Sequence, residues 1–154
     1  MSKQEQKVKD GVASFLDEGE EVLAAIIARP RGWTQSHQGA IPMQLGLRQQ
    51  AKSRDAATTS GFHLASPMAL VVTDMRLLSV SIGSPIGLGL GGDVKEIVGA
   101  IGLDQVDSIE FTRLLAGKVV KLRIGGGDEI KLEVNAAADV KGLIAAFEGS
   151  RAAA

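Results

Sequence analysis

The chain of 154 residues contains no cysteine and no tyrosine, and its aromatic residues are one tryptophan and four phenylalanines. Without cysteine, the sequence excludes a disulfide bond, a thiolate metal site and a cysteine nucleophile. Aromatic residues make up only 3% of the sequence while hydrophobic residues make up 45%, so the core has to be aliphatic. The lack of cysteine fits a reducing compartment, and we expect a cytoplasmic location.

Long apolar runs are also missing. No run approaches the roughly 18 to 20 residues that a membrane-spanning helix requires. The charged start, MSKQEQKVKDG, is not followed by the apolar segment of a secretory signal. We therefore expect neither a membrane span nor a cleaved signal. A chain of this length is predicted to fold as a single domain, residues 1–154, which buries most of its apolar surface.

Charge of one sign is not in large excess, since the net charge is −1. This balance gives no general attraction to nucleic acid, so none is predicted as a partner. Residues 1–28 nevertheless sum to −3, and residues 29–76 sum to +4. The basic residues at the start of the second block, with the only tryptophan, are a candidate interaction surface: Arg29, Arg31, Trp33, Arg48, Lys52 and Arg54. The alternative is that these charges are scattered over a solvated loop.

Apolar spacing predicts a helix near each end of the chain. Residues 1–17 place Val8, Val12, Phe15 and Leu16 in a stripe on one helical face. Residues 135–149 carry a second stripe, and Asn135 is the predicted N-cap of that helix. Both helices are amphipathic, so each is expected to dock on the rest of the domain through its apolar face.

β-branched and alternating runs between the two helices predict antiparallel strands. Residues 68–73 and 77–82 form one predicted hairpin around the turn residue Asp74. Residues 118–124 and 129–134 form another, in which apolar side chains point to the core and charged ones to water. Further strands are predicted at 21–28, 97–101 and 106–111.

Two connections in the sequence could carry function. Residues 30–67 are polar and exceed the roughly 12 to 15 residues common for an unstructured connection.

Residues 83–95 contain GLGLGG at 87–92, which matches the G-x-G-x-x-G pattern of dinucleotide-binding folds. Those folds need a helix directly after the glycines and parallel strands. Gly99 and Gly102 interrupt such a helix and the hairpins require antiparallel pairing, so a loop is favoured and no cofactor is predicted.

Candidate catalytic and metal-binding residues are sparse. His37 and His63 lie 26 residues apart with no acid-rich cluster beside them, so no metal site is predicted. No G-x-S-x-G motif or comparable frame accompanies the serines, so no catalytic residue is predicted either. The sequence therefore favours a protein that is not an enzyme.

Several phrases together resemble the bacterial pleckstrin-homology-like domains. They are ALVVTDMRLL at 69–78, IGLDQVDSIEF at 101–111 and KLRIGGGDEIKLEV at 121–134, followed by the closing amphipathic helix. The resemblance covers residues 20–149. It implies an α+β, mainly β fold, in which about seven antiparallel strands form a partly open barrel. A C-terminal helix caps the barrel and an N-terminal amphipathic helix precedes it.

We predict a non-catalytic interaction module that mediates protein–protein association or self-assembly, because this function asks least of the sequence. A sheet edge or the segment 30–67 would then contact a protein partner or a second copy of the chain. One alternative is a peripheral domain that binds an anionic membrane through the basic residues of 29–54. A remote alternative is a nucleotide-binding enzyme that uses the glycines at 87–92.

Overall fold

A computed structural model of the chain describes residues 3–30, 62–64, 68–83, 94–115, 117–125, 128–135 and 138–153. The described residues contain two helices and seven strands, namely α1 (Lys3–Val12), β1 (Val22–Pro30), β2 (Met68–Thr73), β3 (Arg76–Ile82), β4 (Val94–Gly102), β5 (Val106–Leu114), β6 (Gly117–Ile124), β7 (Asp128–Val134) and α2 (Val140–Ala153). A 3-10 turn follows α1 at Ala13–Phe15, and a second one joins β4 to β5 at Leu103–Gln105.

The seven strands form one sheet in the order β4-β3-β2-β1-β7-β6-β5. All neighbouring strands pair in antiparallel fashion. The edge strands β4 and β5 are joined only by the turn Leu103–Gln105, so the sheet curls until its two edges meet at one corner. With a helix near each end of the chain, this arrangement confirms the predicted fold class. We call β1 to β4 the first half of the sheet and β5 to β7 the second half.

The inner side of the curled sheet packs against α2. Val140, Leu143 and Phe147 of α2 are at most 1% exposed. They belong to one apolar cluster with inward side chains of both halves, such as Leu70 and Leu132. Burial of a side chain of this size contributes about 1.5 to 3 kcal/mol. Contact with α2 therefore holds the two halves together around a shared core.

The C-terminal helix begins and ends later than the sequence predicted. It begins at Val140, and Asp139 rather than Asn135 caps it. The Asp139 carboxylate accepts a hydrogen bond of 2.9 Å from the backbone N–H of Gly142, which has no partner within the helix. The predicted apolar stripe is nevertheless the buried face, because that stripe depends on spacing and not on the cap.

The first helix covers the outward face of the first half of the sheet. Val8 and Val12 of α1 are fully buried and share a second apolar cluster with Val71 of β2. Gly11 allows this close approach, since a Cβ atom at position 11 would lie 2.8 Å from Cγ2 of Val94. The helix is shorter than the predicted 1–17, because the chain continues from Val12 as a 3-10 turn. Phe15 lies in that turn and is 44% exposed, so the predicted stripe is wrong at this residue, whereas Leu16 is half-buried against the second cluster.

Strand β4 follows the glycine motif in the sequence, where a dinucleotide-binding fold would have a helix. Residues 94 and 95 of the predicted loop 83–95 already belong to β4, which pairs with β3. The helix that a dinucleotide-binding fold needs after its glycines is therefore replaced by an antiparallel strand. The motif itself, at 87–92, lies outside the described residues.

The last part of the segment 30–67 contacts the same edge strand. Phe62 is fully buried in the inner core. The main chain of His63 crosses β4 at Gly99, where a Cβ atom would lie 2.8 Å from the His63 carbonyl oxygen. Glycine is required at this crossing because any side chain would overlap the main chain.

Candidate interaction surface

Only one member of the predicted interaction surface lies in the described part of the chain. Arg29 lies near the end of β1, which extends past the predicted strand 21–28 because residues 28–30 pair with β7. The other five members, Arg31, Trp33, Arg48, Lys52 and Arg54, lie outside the described residues. Their place in a common surface stays a prediction.

Arg29 is tied to the sheet through the opposite strand. It lies directly across from Glu133 of β7, which is 8% exposed. Burial lowers the pKa of Arg29, and the negative charge of Glu133 counteracts part of that effect. Guanidinium groups stay protonated in proteins even so. The charge of Arg29 is thus partly compensated by Glu133 within the sheet.

Beyond Arg29, the second half of the sheet has two distinct faces. Its inward side chains on β6 and β7 are buried: Val120, Leu122, Ile124, Ile130 and Leu132. Its outward charged side chains on these strands are Lys121, Arg123, Glu129, Lys131 and Glu133. This alternation is the one predicted from the sequence.

Three basic side chains on the outward face surround one carboxylate. Glu129 Oε1 lies 3.8 Å from Lys121 Nζ and 3.7 Å from Lys131 Nζ, and Glu129 Oε2 lies 3.8 Å from Arg123 Nε. We call these four residues the cationic face, and their formal charges sum to +2. All four side chains are partly exposed to solvent. Ion pairs of this length and exposure contribute little to stability.

The strand register forces like charges together on the cationic face. Lys121 lies directly opposite Lys131, a pairing that is unfavourable for the sheet. Glu110 of β5 lies on the other side of Lys121 and offsets part of the positive charge. An acidic ligand would relieve the repulsion between the two lysines, so the face is suited to bind one.

A second cluster of charges lies where the N-terminal segment meets the turn between β2 and β3. The Glu20 carboxylate accepts hydrogen bonds of 2.9 Å from both Nε and Nη2 of Arg76, and one of 2.7 Å from Thr73 Oγ1. It also accepts a 3.1 Å hydrogen bond from the backbone N–H of Asp17. The Glu20 side chain is completely buried. We call Glu20, Thr73 and Arg76 the Glu20 clamp.

The electrostatics of the Glu20 clamp favour the charged pair. Burial by itself would raise the pKa of Glu20, but the hydrogen bonds from Arg76, Thr73 and the Asp17 backbone outweigh it, so the pKa is lowered. The hydrogen bond to Glu20 in turn raises the pKa of Arg76. Each carboxylate oxygen of Glu20 already accepts two hydrogen bonds from groups of the chain, so neither is available to a ligand. The clamp is structural.

Asp74 completes the same junction. Its carboxylate accepts a 3.0 Å hydrogen bond from the backbone N–H of Glu21, and its own N–H donates to the Glu21 carbonyl oxygen at 3.1 Å. Gly19 leads the chain into the clamp with a φ of +81°, a conformation that favours glycine. The phrase TDMR therefore serves to attach the N-terminal segment to the first hairpin.

An open cavity of about 580 Å³ lies at the end of the barrel beside this junction. It is lined by Asp74, Met75, Leu103, Asp104 and Arg151. These residues include two carboxylates and a guanidinium, but no serine, histidine or lysine that could form a nucleophile–base pair. The Arg151 guanidinium donates a 2.6 Å hydrogen bond to the Asp107 carbonyl oxygen, which fixes the end of α2 on β5.

The described residues contain no group of three histidine, aspartate or glutamate side chains arranged to hold a metal ion. His63 is exposed at the surface, and His37 lies outside the described ranges. Among the helices in the described part of the chain, none has the length and apolar character that crossing a membrane requires.

Comparisons with known proteins give only a distant structural likeness. No family model and no curated protein matches the chain. Similar solved structures include a DUF1696 family protein with a pleckstrin-homology domain from Shewanella loihica PV-4 and a pleckstrin homology domain from Shewanella amazonensis SB2B. Each is 14% identical with a TM-score of 0.48, and the match covers 95% of this chain and 95% and 96% of the two solved chains, respectively. The fold of this chain rests on its own strand order and helices.

The cationic face was missed as a site at the level of sequence. The alternation in KVVKLRI and EIKLEV does reveal that the charged side chains share one face of each strand. Their gathering around Glu129 depends on the register between β6 and β7, which sets Lys121 against Lys131. The sequence signal that could have indicated this site is the excess of lysine and arginine at the outward-facing positions of the hairpin.

Proposed function

We propose that the chain is a non-catalytic interaction module whose cationic face binds an acidic segment of a partner protein. The observation that carries this proposal is the gathering of Lys121, Arg123 and Lys131 around one carboxylate. The face has a net positive charge and lies on paired strands. Charge complementarity of this kind contributes to the rate and specificity of association.

Binding exchanges weak internal ion pairs for stronger external ones. The contacts to Glu129 are 3.7 to 3.8 Å long, whereas charge-assisted hydrogen bonds to an incoming carboxylate are typically about 2.7 to 2.9 Å. Arg123 can hold a carboxylate through two parallel hydrogen bonds because its guanidinium is planar. The strands fix the backbone beforehand, so binding requires little ordering of the main chain.

A second copy of the chain is one partner with suitable chemistry. Residues 1–28 sum to −3, and their acidic side chains Asp10, Asp17, Glu18 and Glu21 are exposed. Contact between this segment and the cationic face of a neighbour would be a head-to-tail contact. Self-association would then weaken as the salt concentration rises.

Anisotropy of a short fluorescent polyglutamate peptide tests the proposal on the full chain. We expect Lys121→Gln with Lys131→Gln to weaken binding about ten-fold, because two cations of the face are lost. The matched control, Lys95→Gln with Lys141→Gln, removes two exposed lysines elsewhere and should bind like the parent. Equal losses in both variants would indicate attraction to overall charge and contradict the proposal. Sedimentation of the parent at low and high salt tests the second copy as partner.

A further inference from the structure

The hairpin between β5 and β6 ends in two exposed leucines. Strand β5 begins with the buried residues Val106 and Ile109, but exposure increases along it, and Leu114 is 46% exposed. The side chain of Leu115, at the turn, is fully exposed. Adjacent large apolar side chains on a protruding turn are typical of a contact site rather than of an ordinary solvated turn.

The charged residues nearest to this tip in the sequence are all positive. Residues 111–127 contain four basic residues and no acidic one. The two nearest the tip, Arg113 and Lys118, lie directly opposite each other on β5 and β6. Lys118 Nζ donates a 3.0 Å hydrogen bond to the Ala138 carbonyl oxygen and lies 5.8 Å from the centre of the Phe111 ring. Arg113 is exposed and forms no ion pair within the described part of the chain.

We propose that this tip, the leucine hairpin (Arg113, Leu114, Leu115 and Lys118), inserts shallowly into a lipid bilayer with anionic headgroups. The leucines would enter the boundary of the acyl chains while the two cations stay at the level of the headgroups. A convex tip needs no preformed pocket in a fluid bilayer. A protein partner would have to offer both an apolar pocket and an acidic rim around it.

Two weak contributions have to combine for this binding. Insertion of two leucines alone gives weak, reversible attachment, as a single small apolar anchor does. The opposed cations add attraction to the anionic surface, which also relieves the repulsion between Arg113 and Lys118. The inference goes beyond the acidic partner proposed above, because it uses other side chains and another ligand. The two surfaces can be disabled separately.

A fluorescent label on the tip gives a direct test. Since the sequence has no cysteine, Leu115→Cys creates a single attachment point for an environment-sensitive fluorophore on the full chain. With vesicles of phosphatidylcholine and phosphatidylglycerol we expect a blue shift that high salt reverses, and none with phosphatidylcholine alone. The control label is Met75→Cys, at the exposed turn between β2 and β3, which should not shift. An unshifted label at 115, or equal shifts at both positions, would overturn the proposal.

Unlabelled variants test the energetic role of the tip in vesicle co-sedimentation. Leu114→Ser with Leu115→Ser should lower partitioning into anionic vesicles about ten-fold or more. Leu23→Ser with Met75→Ser replaces two exposed apolar side chains elsewhere and should leave partitioning unchanged. Arg113→Gln should lower it about five-fold, as expected for about 1 kcal/mol per basic residue near an anionic surface.

If the Leu114→Ser, Leu115→Ser variant binds vesicles as strongly as the parent, the proposal is overturned and the membrane contact belongs to other residues. Equal binding of the parent to neutral and anionic vesicles would also overturn it. This variant should still bind the polyglutamate peptide, whereas the Lys121→Gln, Lys131→Gln variant should still shift the label at position 115. Failure of one proposal is therefore distinguishable from failure of the other.

Discussion

The two halves of the sheet differ in what they present outward. In the first half, outward side chains such as Val71 and Val80 are fully buried and share a cluster with Val8 of α1. In the second half, most outward positions on β6 and β7 carry charged side chains that are partly or fully exposed, such as Lys131, and Glu133 is the buried exception. The same antiparallel pairing therefore forms a layer with two buried faces at β2 and β3 and a layer with one solvated face in the second half. Strand β4, at the edge of the first half, is exposed at Lys95, Glu96 and Ala100. The second half is the one left available for a partner.

The charge clusters of the two halves differ in the same way. Glu20 contacts one basic side chain, Arg76, and the hydroxyl of Thr73 at 2.7 to 2.9 Å, whereas Glu129 lies 3.7 to 3.8 Å from three basic side chains. The Glu20 side chain is completely buried, whereas that of Glu129 is 37% exposed. A buried carboxylate has to keep its partners, and an exposed one can exchange them. Similar residue types thus form a fixed cluster at Glu20 and an exchangeable one at Glu129.

The largest loss of stability is expected from placing a charge on the inward face of the second half rather than on its outward face. Leu132→Asp places a charge in the shared core, so we expect a loss of more than about 4 kcal/mol or complete unfolding. Lys131→Asp, one residue earlier, points outward and should change the free energy of unfolding by less than about 1 kcal/mol. Urea unfolding followed by circular dichroism measures both. A folded Leu132→Asp protein would show that the register of β7 is wrong.

A smaller effect separates the two carboxylates. Glu20→Gln leaves the partly buried Arg76 with only the exposed carboxylate of Asp17, 4.0 Å away, so we expect a loss of about 3 kcal/mol at neutral pH. Glu129→Gln should cost less than about 0.5 kcal/mol, because its ion pairs are long and exposed. Urea unfolding of the two variants side by side is the measurement. Equal losses would remove the distinction between a structural and an exchangeable cluster.

The lowered pKa of Glu20 predicts that the stability of the protein depends on pH. The pKa of Glu20 is lowered in the folded state. The contribution of its charge to stability is therefore fully present above the ordinary pKa of glutamate and is lost as the pH falls through the lowered folded-state value. The parent and the Glu20→Gln variant should converge in stability at acid pH. A constant difference between parent and Glu20→Gln would mean that the lost stability is not linked to the charge of Glu20.

Local patterns predicted the parts of the fold that depend on neighbouring residues in sequence. The hairpins at 68–73 with 77–82 and at 118–124 with 129–134 lie where predicted, because alternation and turn residues act over a few positions. The sequence predicted Asn135 as the N-cap of α2, whereas Asp139 caps the helix. Both are good capping residues, and only packing selects between them. Short-range signals fix the type of an element better than its limits.

Long-range pairing accounts for what the sequence did not reveal. Residues 94–102 have apolar spacing that fits a helix as well as a strand, and pairing with β3 makes them a strand. The contact between Glu20 and Arg76 spans 56 positions and leaves no local signature. The cationic face likewise needs the register of β6 with β7. Both charge clusters are therefore consequences of the fold rather than motifs that can be found in the sequence.

The smallest expected effect tests the outward faces of the two halves with one chemical change. Val71→Thr puts a hydroxyl into the apolar layer beneath α1, where it has no water to bind, so we expect a loss of about 1 to 2 kcal/mol. Val119→Thr makes the same change on the half-exposed outward face of β6, where water can satisfy the hydroxyl, and should stay within about 0.5 kcal/mol of the parent. Valine and threonine have nearly the same shape and both favour strands, so burial is the main difference between the two sites. Urea unfolding gives the comparison, and similar losses at positions 71 and 119 would mean that the second half is covered as completely as the first, which would leave the cationic face no room for a partner.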